Sequence, residues 1–290
     1  SFDISFEELE EKDRLIFSAL GTFGQPNFTL EAIEAIMKEN NLEDNLGNLI
    51  DCYLLELEGQ RYKLHDLLWD YAREKLIEQN KDKEFLNRMA FYFLEKVEVD
   101  SDVLRDDMDN VFFAMDWFYE QEMWDKVYRF IFEKNKKGSY DFLYLHGYWK
   151  EGIERCEKAA YAARQANKPI HEAALLAYKG IFHQCQGEID KAEKIYEECF
   201  KIYKEKDSKS QCGSMLHQLG RIAQDRRDWG NAIELYQQAA NIYKSLDEPD
   251  APSRESMAIH QIGIIYESQG KWKEAKEIHN VNLKIRKAIG

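Results

Sequence analysis

His65 and Asp66 are the first neighbours in the chain whose types suggest chemistry. They stand where a strand-like stretch gives way to a helical one. A histidine at such a junction can donate a hydrogen bond to a phosphate oxygen and can change charge near neutral pH. The residues alone equally allow His65 to pack at the junction with Asp66 as an ordinary helix N-cap. The other histidines, His146, His171, His183, His217, His260 and His279, form no H-E-x-x-H pair, and no nucleophile elbow occurs. There is no G-x-x-x-x-G-K-[ST] loop. Gly263 and Gly270-Lys271-Trp272 have the wrong spacing, and Trp272 has no metal-binding hydroxyl. The five cysteines (Cys52, Cys156, Cys185, Cys199, Cys212) are odd in number and lack C-x-x-C spacing, so buried reduced thiols are expected and metal sites are not. An enzyme is not expected from these residues.

A second set of residues suits recognition. His-Gln recurs at 217–218 and 260–261, and evenly spaced polar side chains can hydrogen-bond an extended peptide backbone. Arg221, Arg226 and Arg227 form a compact basic cluster suited to an acidic group.

The elements that must position these residues follow from composition and period. The 290 residues are 44% hydrophobic, enough for a sizeable core, and only four are proline, between apolar segments, as an almost all-helical chain requires. No apolar run approaches a membrane span and the N-terminus does not resemble a signal peptide, so a cytoplasmic location is expected. The net charge of −14 opposes non-specific phosphate binding. Residues 1–80 hold 7 Lys/Arg against 18 Asp/Glu, so most of the excess lies there.

Ser5 and Glu8 spell a capping box before a helix carrying Leu9, Leu15, Ile16 and Leu20. Thr29 is a predicted N-cap with Phe28 and Ile33 at staple positions. A short third helix is predicted at about Asp44 to Asp51. Cys52–Leu57 and Arg61–Leu64 read as strands around Glu58-Gly59-Gln60, and Asp66 opens another helix. Three helices and a β-hairpin make a winged helix. A DNA-binding regulator is the alternative function this raises, but its third helix would offer Glu43, Asp44, Asn45, Asn48 and Asp51 to the major groove, with no cation. Nucleic acid is therefore not an expected partner. Residues 81–132 read as a helical linker rich in core aromatics such as Phe85, Phe93, Phe112, Phe118 and Phe132.

The run from Tyr62 to Glu74 resembles the winged-helix end of the NB-ARC module in signal-transduction ATPases of the STAND class. The resemblance implies that Leu64-His65-Asp66 is the family's hydrophobic-His-Asp motif, with His65 on the phosphate of ADP. Leu64 departs from the Met common in eukaryotic members. It also implies an upstream domain that binds ADP or ATP, partnership with that domain, and oligomerisation on activation. The chain then reads as an internal fragment. Ile278, Leu283 and Ile285 in the last helix lack a polar cap, which adds to the expectation that more chain follows.

Beyond residue 132 a period appears. Ala192, Ala232 and Ala275 align, with Gly180, Gly220 and Gly263 twelve residues earlier; the steps are 40 and 43. Trp229 and Trp272 match, and Tyr196 and Tyr236 match where the third copy has His279. A weaker copy runs from Gly147 to Ala159. Antiparallel helices can approach closely at small residues of this kind. The pattern resembles the tetratricopeptide repeat over about 133–290, with Lys179 at a usually apolar position and a period above the usual length. Such arrays form an α-solenoid whose concave face binds a protein or peptide. Projection places Tyr178, Ile181, Gln184, His217, Gln218, Arg221, Gln224, Asp225, His260, Gln261, Ile264 and Glu267 on that face. The expected domains are therefore a winged helix at 1–80, a linker at 81–132 and repeats at 133–290. The expected function is the sensor arm of a STAND protein.

Overall fold

Apolar spacing at three to four residues and the scarcity of proline produce a chain that is mostly helix. The computed structural model describes residues 2–99, 101–131 and 139–289. The chain divides into two compact units, residues 1–146 and 147–290.

The first unit begins with α1 (Phe2–Glu7) and α2 (Glu11–Leu20). Ser5 lies inside α1, and α2 starts after Glu10 with no side-chain cap, so the expected capping box does not form. Burial decides this: the break between the helices lets Phe6 and Leu9 turn inward, and Phe6 packs on Phe17 with ring centroids 5.7 Å apart. Strand β1 (Asn27–Thr29), missed by periodicity because it is three residues long, leads into α3 (Leu30–Met37). The Thr29 hydroxyl accepts from the Ala32 amide at 3.2 Å, and the staple residues Phe28 and Ile33 are both buried, as the sequence indicates. Then come α4 (Glu43–Asp51), β2 (Glu56–Glu58), β3 (Arg61–Lys63) and α5 (Asp66–Glu78). The strands form an antiparallel sheet in the order β1-β3-β2, with Phe28 opposite Tyr62 and Tyr62 opposite Leu57.

Helices α6 (Asp82–Val99) and α7 (Leu104–Glu120) pack onto this assembly instead of leading away from it. Arg61 on β3 holds the Asp107 carboxylate with both terminal nitrogens, at 2.6 and 3.1 Å, and donates to Asn27. Asn110 accepts from the Gly24 amide at 2.8 Å and donates to Asp107. Phe23, Phe28 and Phe93 share the core. Short helices α8 (Trp124–Val127) and α9 (Ser139–Leu145) complete the unit. Phe132 and the expected boundary at 132–133 lie outside the described residues.

The second unit is a run of long antiparallel helices: α10 (Trp149–Gln165), α11 (Pro169–Cys185), α12 (Ile189–Glu205), α13 (Lys209–Asp225), α14 (Trp229–Lys244), α15 (Ala251–Ser268) and α16 (Trp272–Ile289). Pro169 and Pro252 sit in first turns, where a missing N–H costs nothing. Most of the connecting loops are three residues long, and the middle residue takes the left-handed conformation, at Asn167, Gly187, Asp207, Arg227 and Gly270. The α14–α15 loop, residues 245–250, is longer, which accounts for the 43-residue step.

Candidate binding face of the helical repeats

Each helix pair closes on a glycine. A Cβ on Gly180 would lie 2.6 Å from the Tyr196 ring and on Gly220 2.9 Å from Tyr236; on Gly263 it would run into the His279 ring. The aligned Ala192, Ala232 and Ala275 are buried at the same crossings. The ring then reaches across the pair. Tyr196 donates to Gln184 Oε1 at 2.7 Å and Tyr236 to Gln224 Oε1 at 2.9 Å; in the third pair His279 Nε2 meets Glu267 Oε1 at 3.0 Å. Burial raises the pKa of both tyrosines, so their hydroxyls stay protonated donors.

These bonds revise the sequence-derived face. Gln184, Gln224 and Glu267 are in register on the first helices, but each already serves a ring of its own hairpin. The signal lay in the sequence: where tyrosine becomes histidine at 279, glutamine becomes glutamate at 267. The remaining predicted residues all keep some exposure, along one stripe of α11, α13 and α15. Tyr178 and Ile181 are half-buried on α11, as are His260, Gln261 and Ile264 on α15. On α13, half-buried His217 and Gln218 precede exposed Arg221 and Asp225. Spacings of three and four put these α13 residues on one helix face. Arg221 donates to Gln218 Oε1 at 3.1 Å. His217 sets its ring edge on Tyr236, and its Nε2 is buried without a hydrogen-bond partner. Burial, then the nearby Arg221 charge, lowers the His217 pKa to about 4, so the ring is neutral.

The three arginines do not form one cluster. Arg226 turns to α12, where Glu193 takes it at 2.8 Å with both oxygens and Asp190 holds its other nitrogen. Those hydrogen bonds, Glu193 first, raise its pKa.

In the first unit, Leu64 is buried and its amide donates to the Pro26 carbonyl at 3.0 Å. His65, not Asp66, caps α5: its Nδ1 accepts from the Leu67 amide at 3.3 Å. That bond leaves Nε2 as the ring nitrogen able to donate, and the residue is exposed. The arrangement fits a donor to a phosphate oxygen. Neighbouring Arg61 and Lys63 are engaged by Asp107 and Glu58. On α4, Asn45 and Asn48 donate to the buried Asp13 carboxylate, leaving Glu43, Asp44 and Asp51 among the exposed groups.

None of the cysteines is in a disulfide. Cys156, Cys199 and Cys212 are buried, whereas Cys52 and Cys185 are only half-buried. Burial pushes the Cys199 thiol up to about 12, far from a reactive thiolate. Among the described residues no cluster of three or more His, Cys, Asp or Glu is placed to hold a metal, and no helix is long and apolar enough to cross a membrane.

No curated protein sequence matches the chain. It is similar in structure to BtubC (BKLC) from P. vanneervenii, with 14% identity and a TM-score of 0.46 over 89% of each chain. It is similar to a STAND protein with a tetratricopeptide repeat sensor from Pyrococcus horikoshii, with 17% identity and a TM-score of 0.45; the match covers 99% of this chain and 46% of that one. The chain thus spans about half the length of that protein. A Podosopora anserina putative kinesin light chain with nearly identical TPR-like repeats matches with 15% identity and a TM-score of 0.48, over 73% of this chain and 95% of that one. Likeness at this level carries no argument about function. Family models for the tetratricopeptide repeat match residues 173–206 and 211–288. With the glycine-and-ring crossings in the same pairs, residues 173–206 and 211–288 are tetratricopeptide repeats.

Proposed function

We propose that this chain is the regulatory and sensor portion of a cytoplasmic STAND-type signalling protein, and that its repeats bind a protein or peptide along the stripe of α11, α13 and α15. The observation that carries the reading is the repeat array itself. Its first helices pack between neighbouring helices and keep one mixed polar and apolar stripe at least partly exposed, in register across successive pairs. Stacked helical pairs of this kind offer extended recognition surfaces.

In the same reading the first unit is a winged helix that leans on an upstream nucleotide-binding domain. His65 donates through Nε2 to the phosphate of ADP held there, and so helps to hold that domain in its off state. The capped ring supports this, since the Leu67 amide fixes both orientation and tautomer. A bound trigger shifts the off-to-on equilibrium only by its difference in affinity for the two states. Activated molecules then assemble. Binding of DNA by the first unit is disfavoured, because α4 presents carboxylates and spends its asparagines on Asp13.

The test is a pulldown with the full-length protein, with and without residues 147–290, alongside its signalling output. A partner retained only by the repeat-containing form, with activation lost on deletion, is the expected result. Unchanged activation after deletion would overturn the sensor reading.

A further inference from the structure

We propose that Arg221 is an anion subsite in the middle of the repeat face, taking an aspartate or glutamate side chain of the bound segment flanked on both sides by aliphatic residues. The inference rests on the peptide-binding reading above and gives its ligand a chemistry.

Three observations meet at this position. The first is an uncompensated cation. Arg221 is exposed, its hydrogen bond goes to the neutral Gln218, and among the described residues no carboxylate lies within ion-pair distance. Arg164, Arg226 and Arg254 of the same unit each hold a carboxylate. A guanidinium has five N–H groups in a planar fork, so most of this one remains free to grip a carboxylate.

The second is an orphaned polar atom. His217 lies four residues before Arg221 on the same stripe, and its Nε2 is shielded from solvent without a partner. Buried polar groups are normally satisfied, so an unmet one beside a free cation marks a place for a missing acceptor. The ring is neutral there, and in the tautomer that carries its proton on Nε2 it adds a hydrogen bond and no second charge.

The third is what flanks the cation. Ile181 on α11 and Ile264 on α15 occupy the position equivalent to Arg221, at the 40- and 43-residue steps of the repeat. Across three first helices the stripe reads Ile, Arg, Ile, and both isoleucines keep part of their surface exposed. The two carboxylates on the stripe are Asp225, one turn past Arg221, and Glu267, which is occupied by His279. Asp225 is the natural competitor for an acidic ligand. A single free arginine suits a carboxylate better than a phosphate, which commonly draws on an arginine cluster; Arg226 is turned away to α12.

Random peptides displayed on phage are selected against the intact chain. The tightest peptide is then synthesised as selected, with its acid changed to Gln, and with phosphoserine in its place. Fluorescence anisotropy measures Kd on wild type, Arg221→Gln and Asp225→Asn. The expected result is enrichment of Asp or Glu between aliphatic residues. Arg221→Gln then weakens the acidic peptide about tenfold or more, which corresponds to about 1.4 kcal/mol, and leaves the Gln peptide unchanged. Asp225→Asn tightens the acidic peptide, which tests the site without touching the arginine. Enriched peptides that lack an acid, or that bind Arg221→Gln equally well, overturn the subsite and leave the peptide-binding reading standing. A phosphoserine peptide that binds tighter than the acidic one overturns the carboxylate assignment. Failure to enrich any peptide overturns both readings.

Discussion

At the scale of single residues, the repeats are held by one recurring device. A ring on the second helix lies over a glycine on the first and is tied by its polar tip to a side chain one turn further on. Tyr196 with Gln184 and Tyr236 with Gln224 are identical in form; His279 with Glu267 keeps the geometry and changes both chemistries together. His217 shows the cost of the same crowding, because packing against Tyr236 strips water from its ring. Its folded pKa of about 4 lies below the ordinary value of 6.5. Between those values the unfolded chain holds a proton that the folded chain does not. Stability is therefore full above the ordinary value and is lost as pH falls towards the folded one. In urea titrations, wild type is expected to lose more stability than His217→Gln between about pH 7 and about pH 5, by an amount of order 1 kcal/mol. Equal losses in the two proteins would mean that His217 is solvated.

At the scale of elements, the three-residue loops repeat as faithfully as the helices. After α13, the Arg227 amide bonds to the Gln224 carbonyl and the Asp228 amide to the Ala223 carbonyl, each at 2.9 Å. After α11, Gly187 and Glu188 do the same to Gln184 and His183. This is a Schellman-type helix end, which needs a left-handed residue, and glycine takes that conformation freely. Gly187 and Gly270 meet the need, whereas Arg227 meets it at φ 61° with a side chain attached. The left-handed penalty for an L-residue, about 1–2 kcal/mol, exceeds the extra chain entropy that glycine carries, about 0.5–1 kcal/mol. Arg227→Gly is therefore expected to stabilise the repeats by about 0.5–1 kcal/mol, read as a raised thermal midpoint. A lowered midpoint would mean that the arginine side chain contributes more than the strain removes. Arg227 is exposed, so the loss of its charge is a small correction.

At the scale of the whole molecule, two cores are built by different means. The first unit joins sheet and helices through a polar network around Asp107, Arg61 and Asn110, and through a very close helix approach. A Cβ on Gly21 would collide with the Arg73 backbone nitrogen on α5. The second unit spreads its core along the array in hydrophobic clusters shared by neighbouring helices, with a glycine-and-ring contact in each matched pair. Overpacking costs about 1–3 kcal/mol in a well-filled core. Gly21→Ala and Gly180→Ala are expected to cost at least that, the first acting on residues 1–146 and the second on residues 147–290. Calorimetry on the intact chain is expected to show two transitions, each variant lowering a different one. A single transition lowered by both would show that the units unfold as one.

Much of this is legible in residue order. The repeat spacing alone marks Gly180, Gly220 and Gly263 as contact points, because a close helix crossing leaves no choice of residue size. Thr29 as a cap and the hairpin around Gly59 are legible for the same kind of reason, since local backbone demands are met by a few residue types. The order of residues thus dictates the helical pairs, their register and the stripe on α11, α13 and α15. Which members of that stripe are free is settled by packing in three dimensions. A polar residue in a helix reads the same whether it faces solvent or a tyrosine twelve residues away, so Gln184 and Gln224 look available along the chain and are taken where the rings cross to them. Arg221, Arg226 and Arg227 look like one cluster along the chain, yet α12 claims Arg226. Ser5 looks like a cap, yet the burial of Phe6 and Leu9 puts it inside a helix. In each case a contact between distant residues outweighs a local preference worth about 1 kcal/mol, and no reading of neighbours along the chain contains that contact.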